Sequence, residues 1–456
     1  MKTLKLSCLG MLLLSIVSFS ACNKDWLNAK PNDALVIPST PADYQALLDN
    51  TMQMNSNYPA LYMLGDGDFY LTDSIYTALD PEERGAYIWA PTQDFYGGEQ
   101  CYDWQDSYTT ILNANVVLDG LPALSINAGS LAAFNNVKGS ALFFRSLCLY
   151  ALSQEFCKPY NSSSANTDLG LPLRISSNVN LVVNRASVQQ TYDQIINDLS
   201  AALPMLPAMP LYPTRPSKSA AYGLLARIYL IQQDYGKAFL YADSSLQINN
   251  TLIDFNTLAS SANYPITRFN NEVIFHYLLG NYEAFESGLL QVDSTLYQSY
   301  AANDLRKTIY FQSEMGGYSF KGSYNGNRSF FGGLATDEMY LTRAECNARA
   351  GNTNAAMADL NALLKTRWLT GTYTAMTATS ADQALSLILV ERRKELCFRG
   401  LRWSDLRRLN IDPRFQMTLT RIVTGQTYVL PPNSSKYVLP LDDYEIQFGG
   451  LTQNPR

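Results

Sequence analysis

The residues best suited to chemistry stand together in one stretch near the C-terminus, Ile388 to Arg408, where the carboxylates Glu391, Glu395 and Asp405 lie among arginines. Paired carboxylates can act as acid and base on a glycosidic bond. Arginine–carboxylate groups of this kind more often serve to satisfy each other's charge. We favour this structural interpretation, because Arg392 falls in the apolar stripe of an amphipathic helix and needs a carboxylate nearby.

The amino-acid composition excludes most other kinds of catalytic and metal-binding site. The chain has a single histidine, His276, so no mechanism that needs a histidine cluster is available, and its place in an apolar run indicates a core residue. No CxxC pair offers a zinc site, and no phosphate-binding loop is present. The net charge is -6, without a Lys/Arg-rich run, which excludes the electrostatic footprint of a nucleic-acid binder. We therefore predict no catalytic residues, no cofactor and no metal ligands.

Binding remains, and the aromatic residues are the candidates for it. In residues 57–104 eleven of 48 residues are aromatic, about twice the 12% of the whole chain, and residues 256–333 are similarly rich in rings and glycines. Such loops either fold over a core as a packed cap or expose rings as platforms for a ligand. Sugars present C–H faces that stack on flat rings, and their hydroxyl groups need polar partners.

We predict that these two stretches converge and furnish a ligand surface. The candidate ligand-binding residues are the rings Trp89, Tyr96, Trp104, Tyr282, Tyr318 and Tyr324 and the acceptors Asp66 and Asp68. Glycines and polar neighbours favour exposure of the three tyrosines in the second stretch. Trp104, however, also opens a helical pattern and is equally a core candidate, and the alternative role of the two aspartates is to shape a turn.

Helices must position these loops. Helical spacing predicts helices over 40–52, from Trp104, over 134–160, and from a Ser187 cap to Leu203. Residues 222–229 follow the first helix of a tetratricopeptide pair, and residues 340–360 repeat it weakly. Residues 417–439 alternate like short strands. The predicted fold is mostly α, a tetratricopeptide-like helical-pair scaffold with long, irregular, aromatic-rich insertions that form a ligand-binding cap.

The N-terminus has the order of an export signal. Lys2 and Lys5 precede an apolar run and two small residues, and Cys22 follows. The cysteine after the small pair resembles a bacterial lipobox, and the alternative is a plain secretory signal followed by an unrelated cysteine. We predict a lipoprotein signal peptide at 1–21, a lipidated Cys22 with a tether at 22–39, and a single domain at 40–456, with an N-terminal part to about 255 and a C-terminal part from about 256. The five remaining cysteines do not form a disulfide framework.

Several separated motifs resemble the SusD-like (SusD/RagB) family. They are ERR-x-EL, a glycine and R-x-x-DL near Arg392, the W-x3-Y-x2-I of the Trp104 helix, the LGLPL run, the terminal P-x4-EI with QNP, and the lipobox order before Cys22. Arg399 departs from the family, which usually has an acid there. The resemblance implies a surface lipoprotein of the outer membrane that captures a nutrient, usually a glycan, with a SusC-like TonB-dependent transporter, and it implies no catalysis.

Three functions follow as hypotheses. Glycan capture predicts ligand-facing rings in the two insertions. A protein-interaction scaffold predicts exposed apolar residues on the helical groove. A non-sugar nutrient such as a peptide would suit loops similar to those for a glycan. A glycoside hydrolase needs two carboxylates that face each other in a cleft. We favour the first.

Overall fold

Packed helices make up most of the computed structural model, which describes residues 38–91, 95–286 and 288–456. The predicted signal peptide and Cys22 lie outside the described residues. Residues Pro41–Arg456 form one unit. The helices are α1 (Pro41–Leu48), α2 (Thr51–Met54), α3 (Asp73–Ala78), α4 (Pro81–Tyr87), α5 (Tyr102–Gly120), α6 (Leu131–Phe156), α7 (Val188–Ala202), α8 (Lys218–Ile231), α9 (Tyr235–Ile248), α10 (Ser294–Gln298), α11 (Arg306–Ile309), α12 (Thr336–Arg349), α13 (Thr353–Lys365), α14 (Ala381–Glu395), α15 (Arg402–Leu409) and α16 (Asp443–Gln447).

The strands are short and pair two by two, always antiparallel. The pairs are β1 (Phe69–Tyr70) with β5 (Gln291–Val292), β2 (Leu169–Pro172) with β3 (Arg185–Ser187), β4 (Val273–Phe275) with β8 (Leu334–Ala335), β6 (Phe311–Glu314) with β7 (Gly317–Phe320), and β9 (Leu419–Val423) with β10 (Gln426–Leu430). The last pair confirms the strands predicted between 417 and 439. The 3-10 turns are Leu61–Gly65, Leu121–Ala123, Phe255–Thr257, Glu283–Phe285 and Ser435–Tyr437.

Three long helices, α5, α6 and α7, pack in succession. The predicted Ser187 cap is confirmed, as part of a capping box with Gln190 at the start of α7. Most residues of α6 after Val137 are buried, because neighbours cover it on several sides. Its arginine, Arg145, donates two hydrogen bonds of 2.7 Å to Asp198 of α7. A buried guanidinium is tolerated where a carboxylate meets it in this forked geometry.

The two predicted tetratricopeptide-like pairs are confirmed as α8 with α9 and α12 with α13. Ala226 and Ala238 are fully buried within the first pair, and their small side chains let the helices approach closely. Helix α9 packs on α12, and α12 packs on α14, so the pairs join into one scaffold. The mostly α fold class is therefore confirmed.

The glycine corner between α14 and α15 also forms as predicted. Nε of Arg392 lies 2.8 Å from Oδ2 of Asp405, so the expected carboxylate partner is Asp405. Gly400 has a φ of +70°, which favours glycine, and an added Cβ would lie 3.0 Å from the Tyr62 hydroxyl. The hydroxyl of Tyr62 donates to the Gly400 carbonyl at 2.9 Å.

The other two carboxylates of the stretch Ile388 to Arg408 bind instead to the second aromatic-rich insertion, residues 256–333. Glu391 and Glu395 both pair with Arg306, at 2.5 and 3.0 Å, and Arg306 also pairs with Asp304 at 2.7 Å. Glu395 accepts a second guanidinium, from Arg367, at 2.7 Å. These side chains are almost completely buried, so helix α14 holds the insertion through a charge network without contact with water.

Arg367 extends the network to the start of β4. It lies 2.8 Å from Glu272, the residue before that strand. Arg399 has its own partner in Asp337, at 3.1 Å, and its guanidinium lies over the rings of Tyr324 and Phe331. Arg399 is thus a buried cation that is both paired and stacked.

The described cysteines are free and buried, and burial raises the pKa of Cys148 to about 12, which keeps its thiol protonated. His276 is buried in the core, as predicted, and burial lowers its pKa to about 4. None of the helices among the described residues is both long and apolar enough to cross a membrane.

We predict that Arg306→Ala lowers the free energy of unfolding by roughly 3–5 kcal/mol, because three buried carboxylates lose their shared cation. Chemical denaturation measures this change. The matched control is Arg414→Ala, which removes an exposed ion pair with Asp412 and should leave the midpoint unchanged. Equal effects of the two substitutions would contradict a structural role for the buried network.

Candidate ligand-binding site

The two aromatic-rich stretches converge, as predicted. Strand β1 from the first pairs with β5 from the second, with Phe69 opposite Val292. Tyr58 adds a bridge to Leu279, since its N–H donates to the Leu278 carbonyl at 3.1 Å and its carbonyl accepts from Gly280 N–H at 2.7 Å. Backbone hydrogen bonds therefore hold the two loops side by side.

The predicted set of ligand-binding residues is nevertheless mostly buried. Seven of its eight members are each less than a tenth exposed: Asp66, Asp68, Trp89, Tyr96, Trp104, Tyr282 and Tyr324. The expectation that these side chains stand exposed is therefore wrong. Tyr318 is half-buried, and it stacks on Tyr297 with 3.5 Å between ring centroids. One of its faces is thus already occupied.

The buried rings make a core of their own between loops and scaffold. The indole N–H of Trp89 donates to the Gly65 carbonyl at 3.0 Å, and the hydroxyl of Tyr96 donates to the Pro440 carbonyl at 2.9 Å. Trp104 packs perpendicular to Phe156, with 5.1 Å between centroids. The polar tips of Trp89 and Tyr96 are thus satisfied by backbone carbonyls.

The neighbouring glycines were misread as a signal of exposure. A Cβ on Gly65 would lie 2.9 Å from the ring of Trp403, and one on Gly322 would lie 2.4 Å from the ring of Tyr310. These glycines let rings lie directly against the backbone. A glycine beside an aromatic residue here indicates close packing.

The two predicted acceptors are also structural. Asp68 pairs with Arg393 at 2.9 Å, and Oδ1 of Asp66 accepts from the Asp68 N–H at 3.0 Å. Burial, together with the charge of Asp68, raises the pKa of Asp66 to about 8. Neither carboxyl group is available to sugar hydroxyls. The alternative interpretation, that they shape a turn, fits their contacts.

A cleft of about 260 Å³ opens where the two stretches meet. This volume is just below the range of about 300–1,000 Å³ that is usual for small-molecule sites. Its lining residues come from the first stretch, the start of α5 and the segment after β4: Asn57, Asp80, Glu82, Glu83, Tyr102, Asp103, Asp106, Gly280, Asn281, Tyr282 and Glu283. Tyr282 is the member of the predicted set that borders it.

Two carboxylates at the base of the cleft tie its walls together. Oδ2 of Asp103 accepts from the N–H groups of Ala60 and Leu61, at 2.7 and 2.8 Å. Glu83 accepts from the Ala284 N–H at 2.9 Å. Burial raises the pKa of both carboxyl groups, and the backbone donors partly oppose this shift.

The rim of the cleft presents a flat ring. Tyr102 is 62% exposed at the first turn of α5, beside the exposed side chains of Asn57, Asp80, Asn281 and Glu283. Sequence reasoning missed this tyrosine and proposed Trp104. Residues two apart lie on opposite sides of a helix, so the apolar stripe that buries Trp104 already directed Tyr102 outward.

Other cavities lie away from the place where the two stretches meet. One, of about 280 Å³, has Trp104, Arg174 and Glu445 among its lining residues. Another, of about 490 Å³, lies between residues 158–169 and the C-terminal segment. Within the described ranges, no group of three or more histidine, cysteine or acidic side chains is arranged to hold a metal ion.

Comparison with known proteins identifies the family of this chain. Residues 25–230 match the model of a SusD-like family described as starch-binding and associating with the outer membrane, and residues 336–455 match the SusD family model. The chain belongs to the SusD/RagB family. The second match contains Arg392, Gly400 and Asp405, which form the corner between α14 and α15.

Solved SusD-like structures share the fold at low sequence identity. A putative sugar-binding protein of Bacteroides vulgatus is 21% identical, with a TM-score of 0.73 over 92% of this chain and 99% of its own. A SusD superfamily protein of Bacteroides thetaiotaomicron is 20% identical, with a TM-score of 0.74 over 91% and 100%. A laminarin-binding SusD-like protein is 18% identical, with a TM-score of 0.65 over 92% and 100%. No curated protein matches the chain.

The cleft should make folding stability depend on pH through Glu82. Burial and the charges of Asp103, Glu83 and Asp80 raise its pKa from 4.5 to about 7. Between these values the unfolded chain loses the proton that the folded chain keeps, so stability falls as pH rises through this window. We predict that Glu82→Gln is more stable than the wild type by roughly 1 kcal/mol at about pH 8 and equally stable at about pH 4.

Thermal denaturation at both pH values tests this. Asp193→Asn is the control, since Asp193 is an exposed carboxylate on α7 outside the cleft lining. A gain for Glu82→Gln of the same size at both pH values would show that the carboxyl charge is not its cause.

Proposed function

We propose that the protein binds a glycan at the bacterial cell surface through the cleft bordered by Tyr102. The observation that carries this proposal is the convergence of the two loop stretches on one open cleft with an exposed ring at its rim and amide and carboxylate groups around it. The likeness to a putative sugar-binding protein and to a laminarin-binding protein supports it.

The rim has the groups that a sugar needs. The ring of Tyr102 offers a flat surface to the C–H face of a pyranose, and the side chains of Asn57 and Asn281 can donate to and accept from its hydroxyl groups. Exposed Asp80 and Glu283 add further acceptors. Because the base is held by backbone hydrogen bonds to Asp103 and Glu83, the cleft is preformed, and little ordering opposes binding.

Binding is proposed without catalysis. The two innermost carboxylates, Asp103 and Glu83, already hold backbone N–H groups, so one oxygen of each is engaged in structure. A hydrolase needs one free carboxylic acid and one free carboxylate on opposite sides of the bond. Mass spectrometry of oligosaccharides after incubation with the protein should find no shortened products.

The captured glycan is proposed to pass to a SusC-like TonB-dependent transporter in the outer membrane. In this scheme residues 1–21 direct export, Cys22 carries lipid, residues 22–39 are a tether, and residues 40–456 are the binding domain. The starch-binding, outer-membrane description of the matching family supports this arrangement. Affinity purification of the tagged protein from solubilised membranes should recover the transporter.

We predict that Tyr102→Ala weakens glycan binding by roughly 1–3 kcal/mol, by analogy with base stacking on aromatic platforms. Calorimetry against a panel of neutral oligosaccharides, including laminarin fragments, measures it. The control is Tyr212→Ala, because Tyr212 is exposed to a similar degree, 57%, and does not line the cleft.

If Tyr102→Ala folds normally and its affinity for glycans is unchanged, the glycan does not bind in this cleft. Binding of peptides with no binding of any oligosaccharide would favour the alternative of a non-sugar nutrient.

Membrane attachment depends on Cys22 in this proposal. We predict that Cys22→Ser moves the protein from the membrane fraction to the soluble fraction, since no acyl chains remain to hold it. Mass spectrometry of the wild-type N-terminus should find a lipidated cysteine. An unmodified mature terminus in the wild type is the result that contradicts the anchor.

A further inference from the structure

Both aromatic-rich stretches and the helical scaffold meet at one side chain, Asp103. It follows the first residue of α5, and its Oδ2 accepts from the N–H groups of Ala60 and Leu61 in the first stretch. From the second stretch, the hydroxyl of Tyr282 interacts with the same carboxyl group. From the scaffold, Glu155 of α6 is hydrogen-bonded to it. The base of the cleft is therefore assembled around Asp103.

Glu155 lies behind the cleft. Its side chain is completely buried and does not belong to the cleft lining. Among the described residues, no N–H or O–H group donates to either of its side-chain oxygens. The cation that attracts it, Arg407 of α15, donates instead to the carbonyl of Cys157, and its Nε and Nη1 donate to no acceptor in the described ranges. Glu155 is thus a buried carboxyl group whose hydrogen-bonding partner is another carboxyl group.

Two carboxyl groups in contact require a proton between them. An ionised carboxylate has acceptors only. Two such groups at hydrogen-bonding distance would repel each other, in a place where burial already opposes charge. One of the pair must therefore be a neutral acid that donates to the other.

The surroundings determine which group holds the proton. Two backbone N–H groups donate to Asp103, and donors of this kind favour the charged form. Burial, and then the charge of Asp103, raise the pKa of Glu155 well above its usual range. The other titratable side chains around Glu155 are Tyr62, Glu82, Tyr96, Cys101, Tyr282 and Arg407. Of these, Arg407 alone favours ionisation of Glu155, and it forms no hydrogen bond to it.

Resting on the proposed function, we infer that Glu155 is a positioning residue of the glycan cleft, which keeps its proton and donates a hydrogen bond to the ionised Asp103. This bond fixes the orientation of Asp103, and through the N–H groups of Ala60 and Leu61 it fixes one wall of the cleft. Glu155 itself does not touch the ligand. Because a preformed site loses little conformational freedom on binding, removal of this support should weaken binding.

The scaffold offers a matched buried glutamate in Glu345 of α12. It is also completely buried, and it accepts from Arg408 at 2.6 and 2.8 Å. Burial opposes its charge, but the guanidinium groups of Arg408 and Arg349 prevail and lower its pKa. Two equally buried glutamates should therefore differ in protonation, Glu345 being ionised and Glu155 neutral.

Infrared difference spectra test the protonation. At about pH 7 a glutamate with an ordinary pKa is ionised. Subtracting the spectrum of Glu155→Gln from that of the wild type should nevertheless show the carbonyl band of a protonated carboxylic acid. The same subtraction for Glu345→Gln should show carboxylate bands. Carboxylate bands alone in the Glu155 difference would overturn the inference.

Two substitutions test the positioning role. Glu155→Gln keeps a donor, since its amide N–H replaces the O–H, and it should bind the neutral oligosaccharide panel used for Tyr102 within about twofold of the wild type. Glu155→Met has a side chain of similar length without a donor, and it should weaken binding by at least about fivefold, the weight of one hydrogen bond. In amide hydrogen exchange, Ala60 and Leu61 should lose protection in Glu155→Met and keep it in Glu155→Gln.

The remaining outcomes separate this inference from the proposed function. Failure of Glu155→Gln to fold contradicts the inference, because its amide keeps the donor. If Glu155→Met folds and binds like the wild type, Glu155 has no positioning role, and glycan capture stands. If Glu155→Met does not fold, Glu155→Asp, which keeps the acid on a shorter side chain, takes its place with the same expectation. If the wild type binds no member of the panel, the proposed function fails, while the infrared and exchange results still decide whether Glu155 holds the proton and the wall.

Discussion

The charge network between helix α14 and the insertion is the constraint on which the rest of the structure depends. Arg306 and Arg367 meet Glu391, Glu395 and Glu272 without water, and a charge buried in this way is stable only while its partners stay in place. Glu272 precedes β4, and the chain then runs directly to Leu279, which bridges Tyr58. The network thus fixes the segment that forms one wall of the cleft.

Acidic residues therefore have two roles in this protein. In the scaffold, guanidinium groups neutralise them, and they orient helices and loops. In the cleft, backbone N–H groups hold Asp103 and Glu83 and no cation is present among the lining residues. A site with unneutralised charge is less favourable for folding, as the raised pKa of Glu82 indicates. Such a local disadvantage is common where a ligand is bound.

The aromatic residues show a similar division. Most rings of the two loop stretches are buried, because loops of that length need a core of their own against the scaffold. Trp89, Tyr96 and Tyr324 serve this purpose, and Tyr102 remains outside. The abundance of rings correctly indicates a special region, but it does not distinguish the rings that form its core from those, such as Tyr102, that face solvent.

The sequence by itself determined the scaffold. Helical spacing, the Ser187 cap, the tetratricopeptide-like pairs and the corner of Arg392 and Gly400 are local patterns, in which the partner lies a few residues away or the backbone angle selects the residue type. Only the tertiary structure decided the site. Exposure of Tyr102, burial of Tyr282 and the gathering of six acids depend on contacts between segments about 200 residues apart, such as Glu83 with Ala284. A local sequence pattern does not show which distant segment covers a side chain, because burial depends on the tertiary packing of the complete domain.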